Sequence, residues 1–187
     1  MKNALLACLA IGFLMFGMVG VASATLVGDT VTAQHYFSTL SWPYKDLAST
    51  VVADGTSDTM VIVPNSSSEH VYDVDVNAAI IHVYFKFGPT HFHCASFNGL
   101  VVDSLNDSTG NPLIGVSINT DMAGWDLSRL SFDDETVFFN WQGLDFNNNT
   151  VFNAYLNFVP IPEPGTLLLL GGGLVGLAFF ARRRKHI

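Results

Sequence analysis

Cysteine and positive charge are both scarce in this chain. The 187 residues include two cysteines, Cys8 and Cys94. Cys8 falls in an apolar N-terminal run that reads as a leader, so a processed chain keeps one thiol and can form no internal disulfide. Its stability must then come from burial of a core, for which the middle of the chain is long enough. Only 13% of residues are charged, with 8 Lys and Arg against 16 Asp and Glu, a net charge of −8. Between residues 25 and 161 the cations reduce to Lys45, Lys86 and Arg129 against fifteen acids, a net of −12. So acidic a region is repelled by nucleic acid and by anionic lipid or phosphate-rich surfaces. Catalytic signatures are missing as well. There is no HExxH, no GxSxG, no phosphate-cradling glycine loop and no cysteine-histidine signature around Cys94. A glycosidase-like pair of carboxylates stays open, because any two of fifteen acids could meet in space.

What is abundant is hydrophobicity, and it is concentrated at the ends. The chain is 49% hydrophobic, with a mean hydropathy of +0.36. Residues 1–24 supply 18 apolar side chains and residues 166–181 another 11. At the N-terminus, Lys2 precedes an apolar run from Ala4 to Val21. Ala22-Ser23-Ala24 then places small side chains where a signal peptidase needs them, with cleavage expected after Ala24. The alternative, an uncleaved anchor, needs a longer span. Leu5-Leu6-Ala7-Cys8 matches a lipoprotein box in residue type but lies too early in the run.

At the C-terminus, Pro160, Pro162 and Pro164 fix φ and remove backbone donors, which keeps that segment extended. The apolar stretch 166–181 would form a helix about 24 Å long, slightly short of a hydrocarbon core, a deficit that flanking residues and local thinning cover. Arg182, Arg183, Arg184 and Lys185 follow it and place the tail in the cytoplasm and the preceding domain outside. Gly172 and Gly176 have the four-residue spacing of a helix dimerisation motif, a weak signal in a glycine-rich run. Pro162-Glu163-Pro164, a short apolar helix and an arginine cluster, in that order, resemble the PEP-CTERM protein-sorting domain of Gram-negative bacteria. The resemblance covers about residues 160–184. It implies recognition and cleavage by an exosortase, a membrane enzyme with a cysteine nucleophile, and export connected with extracellular polysaccharide and biofilm matrix. A plain single-pass anchor is the alternative.

The middle, residues 25–159, has a hydrophobic period of mostly two. Tyr72, Val74 and Val76 alternate with Val71, Asp73 and Asp75, and Phe152, Ala154, Leu156 and Phe158 alternate with Val151, Asn153, Tyr155 and Asn157. Further strands are expected at 26–37, 59–63, 79–87, 92–102, 113–118 and 136–141, separated by turn chemistry such as Asp54-Gly55, Gly88-Pro89 and Asn147-Asn148-Asn149. Helical turns are expected at 41–49 and 123–129. The fold class is all-β, an antiparallel β-sandwich or jelly roll between a signal-peptide helix and a C-terminal transmembrane helix. Stretches such as Val27-Gly28-Asp29-Thr30, Phe97-Asn98-Gly99-Leu100 and Asn140-Trp141-Gln142-Gly143-Leu144 are also similar to a domain that recurs in PEP-CTERM proteins. That similarity implies fold and context and brings no activity with it.

Three groups of residues could carry chemistry. A loop at 87–90 would close a hairpin with Phe85 opposite Phe92 and Val83 opposite Cys94. His82, His91 and His93 would then share the other face with Tyr84 and Lys86. Such a histidine trio could bind zinc or copper, although Lys86 opposes a cation and exposed histidines on a strand are common. Asp73 with Asp75, and Asp133-Asp134-Glu135, could offer oxygens to calcium, or they could be ordinary strand-edge carboxylates. Trp42, Tyr44, Trp125 and Trp141 could stack on sugar rings or fill the core. The reading is an exported, membrane-anchored exosortase substrate with a non-catalytic structural or adhesive role, and no cofactor. Its partners would be signal peptidase, exosortase, the membrane and extracellular polysaccharide. The alternative is a carbohydrate-binding module or carbohydrate-active enzyme on the same tail.

Overall fold

The structure is a computed structural model that describes residues 25–44, 48–52, 59–62, 71–106, 110–159, 170–174 and 176–177. Ala24–Val159 form one compact unit built of antiparallel strands. In chain order these are β1 (Thr30–Ser38), β2 (Ala48–Val51), β3 (Thr59–Ile62), β4 (Tyr72–Asn77), β5 (Ile80–Phe85), β6 (Thr90–His91), β7 (Phe97–Asp103), β8 (Leu113–Thr120), β9 (Leu130–Phe132), β10 (Val137–Asn140), β11 (Asp145–Phe146) and β12 (Val151–Phe158). One sheet has the order β2-β1-β7-β10-β9 and the other β3-β4-β5-β12-β8, while β11 and β6 pair as a short ribbon. Neighbours in sequence pair as hairpins or a meander at β1-β2, β3-β4-β5 and β9-β10, and the remaining connections cross between the sheets.

The alternation in the sequence drives this layering, because a strand with apolar side chains at every second position has one face to bury. On β12, Phe152, Ala154, Leu156 and Phe158 are buried and the intervening residues are not. On β1 the buried row is Val31, Ala33 and His35. The inward faces meet in one core, where Phe139 of β10 lies edge-on to Phe152 of β12, ring centroids 5.3 Å apart. Trp141 belongs to the same core. It is fully buried, with Tyr72, Phe85, Phe92 and Phe152 packed around it.

Several expectations change. The expected strand 92–102 starts only at Phe97 in β7, and residues 92–96, between β6 and β7, are not in a strand. Of the two expected helical turns, the second is present as a 3₁₀ turn at Leu127–Arg129, capped by the Asp126 carboxylate accepting from the Ser128 backbone N–H at 2.8 Å. The first overlaps β2, an edge strand against β1. Asp73 and Asp75 are not strand-edge carboxylates: β4 lies between β3 and β5, and both acids are buried. Residues 170–174 and 176–177 are helical and exposed, inside the span expected to cross the membrane. Among the described residues no helix is long and apolar enough to do so.

Candidate functional site

Two concavities concentrate the polar chemistry of the domain. The first, a cleft of about 250 Å³, has His35, Asn98 and Phe92 in its lining, with His91 and His93 among the same wall residues. His35 reaches it from the inward row of β1 and is only 4% exposed. Its Nε2 lies 3.0 Å from Asn98 Oδ1, and Asn98 Nδ2 donates to the His93 carbonyl at 2.8 Å. Because the amide NH₂ is directed at that carbonyl, Oδ1 is the acceptor and His35 carries its proton on Nε2. Nδ1, 2.8 Å from the Tyr72 hydroxyl, then accepts a hydrogen bond from it. The chain Tyr72→His35→Asn98→His93 carbonyl links both sheets, since Tyr72 is on β4 and His35 and Asn98 are on β1 and β7.

Burial dominates the electrostatics of this chain. Desolvation pulls His35 down from 6.5 to about 4, only partly opposed by the bond to Asn98, so the ring is neutral at pH 7. Burial likewise pushes the Tyr72 hydroxyl well above its ordinary value. Phe92 stacks on the imidazole at 6.1 Å and Tyr44 meets it edge-on at 5.8 Å. With both ring nitrogens engaged and the charged form disfavoured, this histidine tightens a packed core.

The second concavity is a groove of about 630 Å³ on the outer face of the β3-β4-β5-β12-β8 sheet, bordered by His82, Tyr84, Lys86, Asn149, Thr150 and Asn153. His82 faces Asn153 across the β5-β12 ladder, and its Nδ1 donates to Asn153 Oδ1 at 2.8 Å. Tyr84 is 46% exposed. The Lys86 ammonium sits 3.1 Å from Asp73 Oδ2 and 5.7 Å from the Tyr84 ring centre, so the cation is held by a carboxylate within the face.

The histidine trio is therefore not assembled as expected. β5 already has β4 on one side and β12 on the other, which leaves no edge for residues 91–94 to join; β6 pairs with β11 instead, His91 opposite Asp145. His91 and His93 stay together, with ring centroids 5.0 Å apart, while His82 belongs to the outer groove. Among the described residues no three His, Cys, Asp or Glu side chains gather as a metal site. Asp75 lies opposite His82 in register, and Asp73 holds Lys86. Asp133 is engaged as a turn cap, accepting from the backbone N–H groups of Glu135 at 3.1 Å and Thr136 at 2.8 Å, which lowers its carboxyl. Of the aromatics, Trp141 is core, Trp125 packs edge-on against Phe152 at 4.8 Å, Tyr44 lies against His35, and Trp42 is 71% exposed. His35 escaped the sequence reading, although its place in the Val31, Ala33 alternation marks it as inward-facing.

Ala22, Ala24, Pro162, Glu163, Pro164, Arg182, Arg183, Arg184 and Lys185 lie outside the described residues. For the tail the comparison with known families is direct: residues 160–185 match the family model described as the PEP-CTERM protein-sorting motif. That span contains the Pro-Glu-Pro tripeptide, the apolar stretch and the four cations. No curated protein and no solved structure matches the chain. The motif marks an exported, exosortase-targeted protein with a membrane-associated sorting signal, and the chain is a PEP-CTERM sorting domain-containing protein.

Proposed function

We propose that the acidic two-sheet domain has a non-catalytic structural or adhesive role in the cell-surface matrix. In this reading signal peptidase removes the leader after Ala24. The apolar stretch 166–181 then holds the chain in the membrane with Arg182, Arg183, Arg184 and Lys185 in the cytoplasm, and an exosortase cuts near Pro162-Glu163-Pro164. The sorting motif at residues 160–185 carries this reading. Two features of the domain support it. The groups most perturbed by burial, His35 and Tyr72, bond to each other and are almost wholly buried, His35 at the wall of the smaller cleft. The net charge of −12 between residues 25 and 161 disfavours nucleic acid and anionic surfaces as partners. No cofactor enters the proposal.

The test is the mature C-terminus. Mass spectrometry of the protein from wild-type cells should find a chain ending near the Pro-Glu-Pro segment, and the uncut tail should persist in an exosortase-deleted strain. Identical C-termini in the two strains would sink the sorting step. Deleting the gene for this chain should weaken surface attachment or matrix cohesion; an unchanged biofilm would sink the adhesive role. A second reading, a carbohydrate-binding module on the same tail, is favoured by the groove beside Tyr84, where an exposed aromatic ring adjoins amide and imidazole groups.

A further inference from the structure

The outer face of the β3-β4-β5-β12-β8 sheet carries more than an isolated ring. Register places Tyr84 opposite Val151, His82 opposite Asn153 and Ile80 opposite Tyr155 on consecutive outward rungs of the β5-β12 ladder. The two tyrosines are 46% and 40% exposed. At ~3.3 Å per residue, the rung of Tyr84 and the rung of Tyr155 stand about 13 Å apart along the strands. Two part-exposed aromatic rings thus bracket a polar rung over the length of a short oligosaccharide, Tyr84 with the His82 imidazole stacked beside it at 6.0 Å and the Lys86 ammonium 5.7 Å from its ring centre.

We infer that this face binds a neutral glycan chain, with the exposed parts of the Tyr84 and Tyr155 rings as aromatic contacts at its two ends and His82 and Asn153 as the hydrogen-bonding groups between them. The inference rests on the carbohydrate-binding reading and supplies its site. A sugar ring has an apolar face of C–H groups and a rim of hydroxyls, each both donor and acceptor, so it needs an exposed ring beside mixed donors and acceptors. The His82–Asn153 bond spends the Nδ1 proton and Oδ1, so the imidazole Nε2 remains as an acceptor and the Asn153 amide NH₂ as a donor outside that bond. Asn149 and Thr150 border the same groove and add further amide and hydroxyl groups.

Charge selects among ligands. Lys86 is the cation of the groove, and it is 3.1 Å from the Asp73 carboxylate. With the region at −12 around it, an acidic polysaccharide or a nucleic acid would meet repulsion that, among the described residues, Lys86 paired to Asp73 does not relieve. An apolar ligand would strand the amide and imidazole groups without partners. A neutral hexose polymer meets neither obstacle.

The experiment measures binding by the leader-free chain with its tail uncut, purified in detergent, using titration calorimetry with cellohexaose, mannohexaose and maltohexaose and with polygalacturonate as the anionic comparison. At least one neutral hexasaccharide should bind and polygalacturonate should not. Tyr84→Ala and Tyr155→Ala should each weaken binding about tenfold, the loss expected when one ring-stacking contact is removed. Tyr84→Phe should retain binding, since it keeps the ring. Trp42→Ala, an exposed aromatic of the other sheet's β1-β2 connection, should bind as wild type. Thermal melts of all variants should match wild type, because both tyrosines are exposed. Failure of every neutral hexasaccharide to bind would overturn the inference and the carbohydrate reading together. Neutral-glycan binding that survives both alanine substitutions would overturn this site and leave the reading standing, and a preference for polygalacturonate would overturn the charge argument.

Discussion

At the scale of single residues, His35 makes the clearest statement about pH. Its pKa in the folded chain is about 4 and its ordinary value 6.5, so between those values the unfolded chain binds a proton that the folded chain does not. Stability therefore falls as pH is lowered from about 6.5 to about 4, by about 3 kcal/mol in total, and this contribution stops changing below that window. Urea unfolding at pH 7, 5 and 4 should show the loss, and His35→Gln should flatten it whatever its effect at pH 7. A variant with the wild-type pH slope would assign the slope elsewhere. Asp133 cannot mimic it: its lowered carboxyl contributes stability above its ordinary 3.8 and loses it only as pH falls below that value. Tyr72→Phe probes the same chain from the other end. It removes the donor to His35 Nδ1 and leaves a buried acceptor unpaired, at a cost of about 1–3 kcal/mol at pH 7 in the same urea assay. The inward direction of His35 was legible from period two alone. Its partners were not, because Tyr72 and Asn98 are 37 and 63 residues away in sequence and meet it only through the pairing of β1 with β7 and the stacking of the two sheets.

At the scale of elements, the β7-β10 pairing hinges on Gly99. A Cβ there would lie 1.8 Å from the Phe139 carbonyl oxygen, a backbone atom that cannot rotate away, so Gly99→Ala must push the central strand of its sheet off β10. Gly115 on β8 is the control, since an added Cβ would meet the Asn157 side chain at 3.6 Å, an ordinary contact. Gly99→Ala should cost about 3 kcal/mol or more, or abolish soluble expression, while Gly115→Ala should stay within about 0.5 kcal/mol of wild type in thermal or urea unfolding. Comparable stability of the two variants would mean that the ladder tolerates separation at Gly99. The same elements show where sequence patterning suffices. β12 was readable residue by residue because its eight positions alternate without interruption and one face is fully buried. β2 was not, since Ala48-Ser49-Thr50-Val51 is an edge strand without a fully buried row, and nothing local distinguishes it from a turn. β11 and β6 are two residues each and exist only because they find each other across the fold. The expected histidine hairpin failed for a related reason: a local loop rule cannot reveal that both edges of β5 are taken by β4 and β12.

At the scale of the whole molecule, the modest overall charge of −8 averages a strongly acidic exported region with a basic tail. The fifteen acids and three cations between residues 25 and 161 share a compact unit, so their mutual repulsion opposes compaction in a way that no single ion pair, such as Lys86–Asp73, offsets. That repulsion acts over distances comparable with the screening length, which shrinks from about 30 Å at 0.01 M salt to about 8 Å at 0.15 M. Raising sodium chloride across that range at pH 7 should therefore raise the melting temperature. The His35 effect has a different origin, because loss of hydration in a packed core is nearly indifferent to ions in solution. The two can be separated by melting wild type and His35→Gln at both salt concentrations at pH 7 and pH 5. The salt gain should be equal in the two proteins, and the pH loss in wild type should persist at 0.15 M. A salt gain that disappears in His35→Gln would tie both effects to the histidine and contradict the view that the excess of acids and the buried imidazole act independently. A melting temperature that falls with salt would mean that attractive ion pairs outweigh the excess of acids.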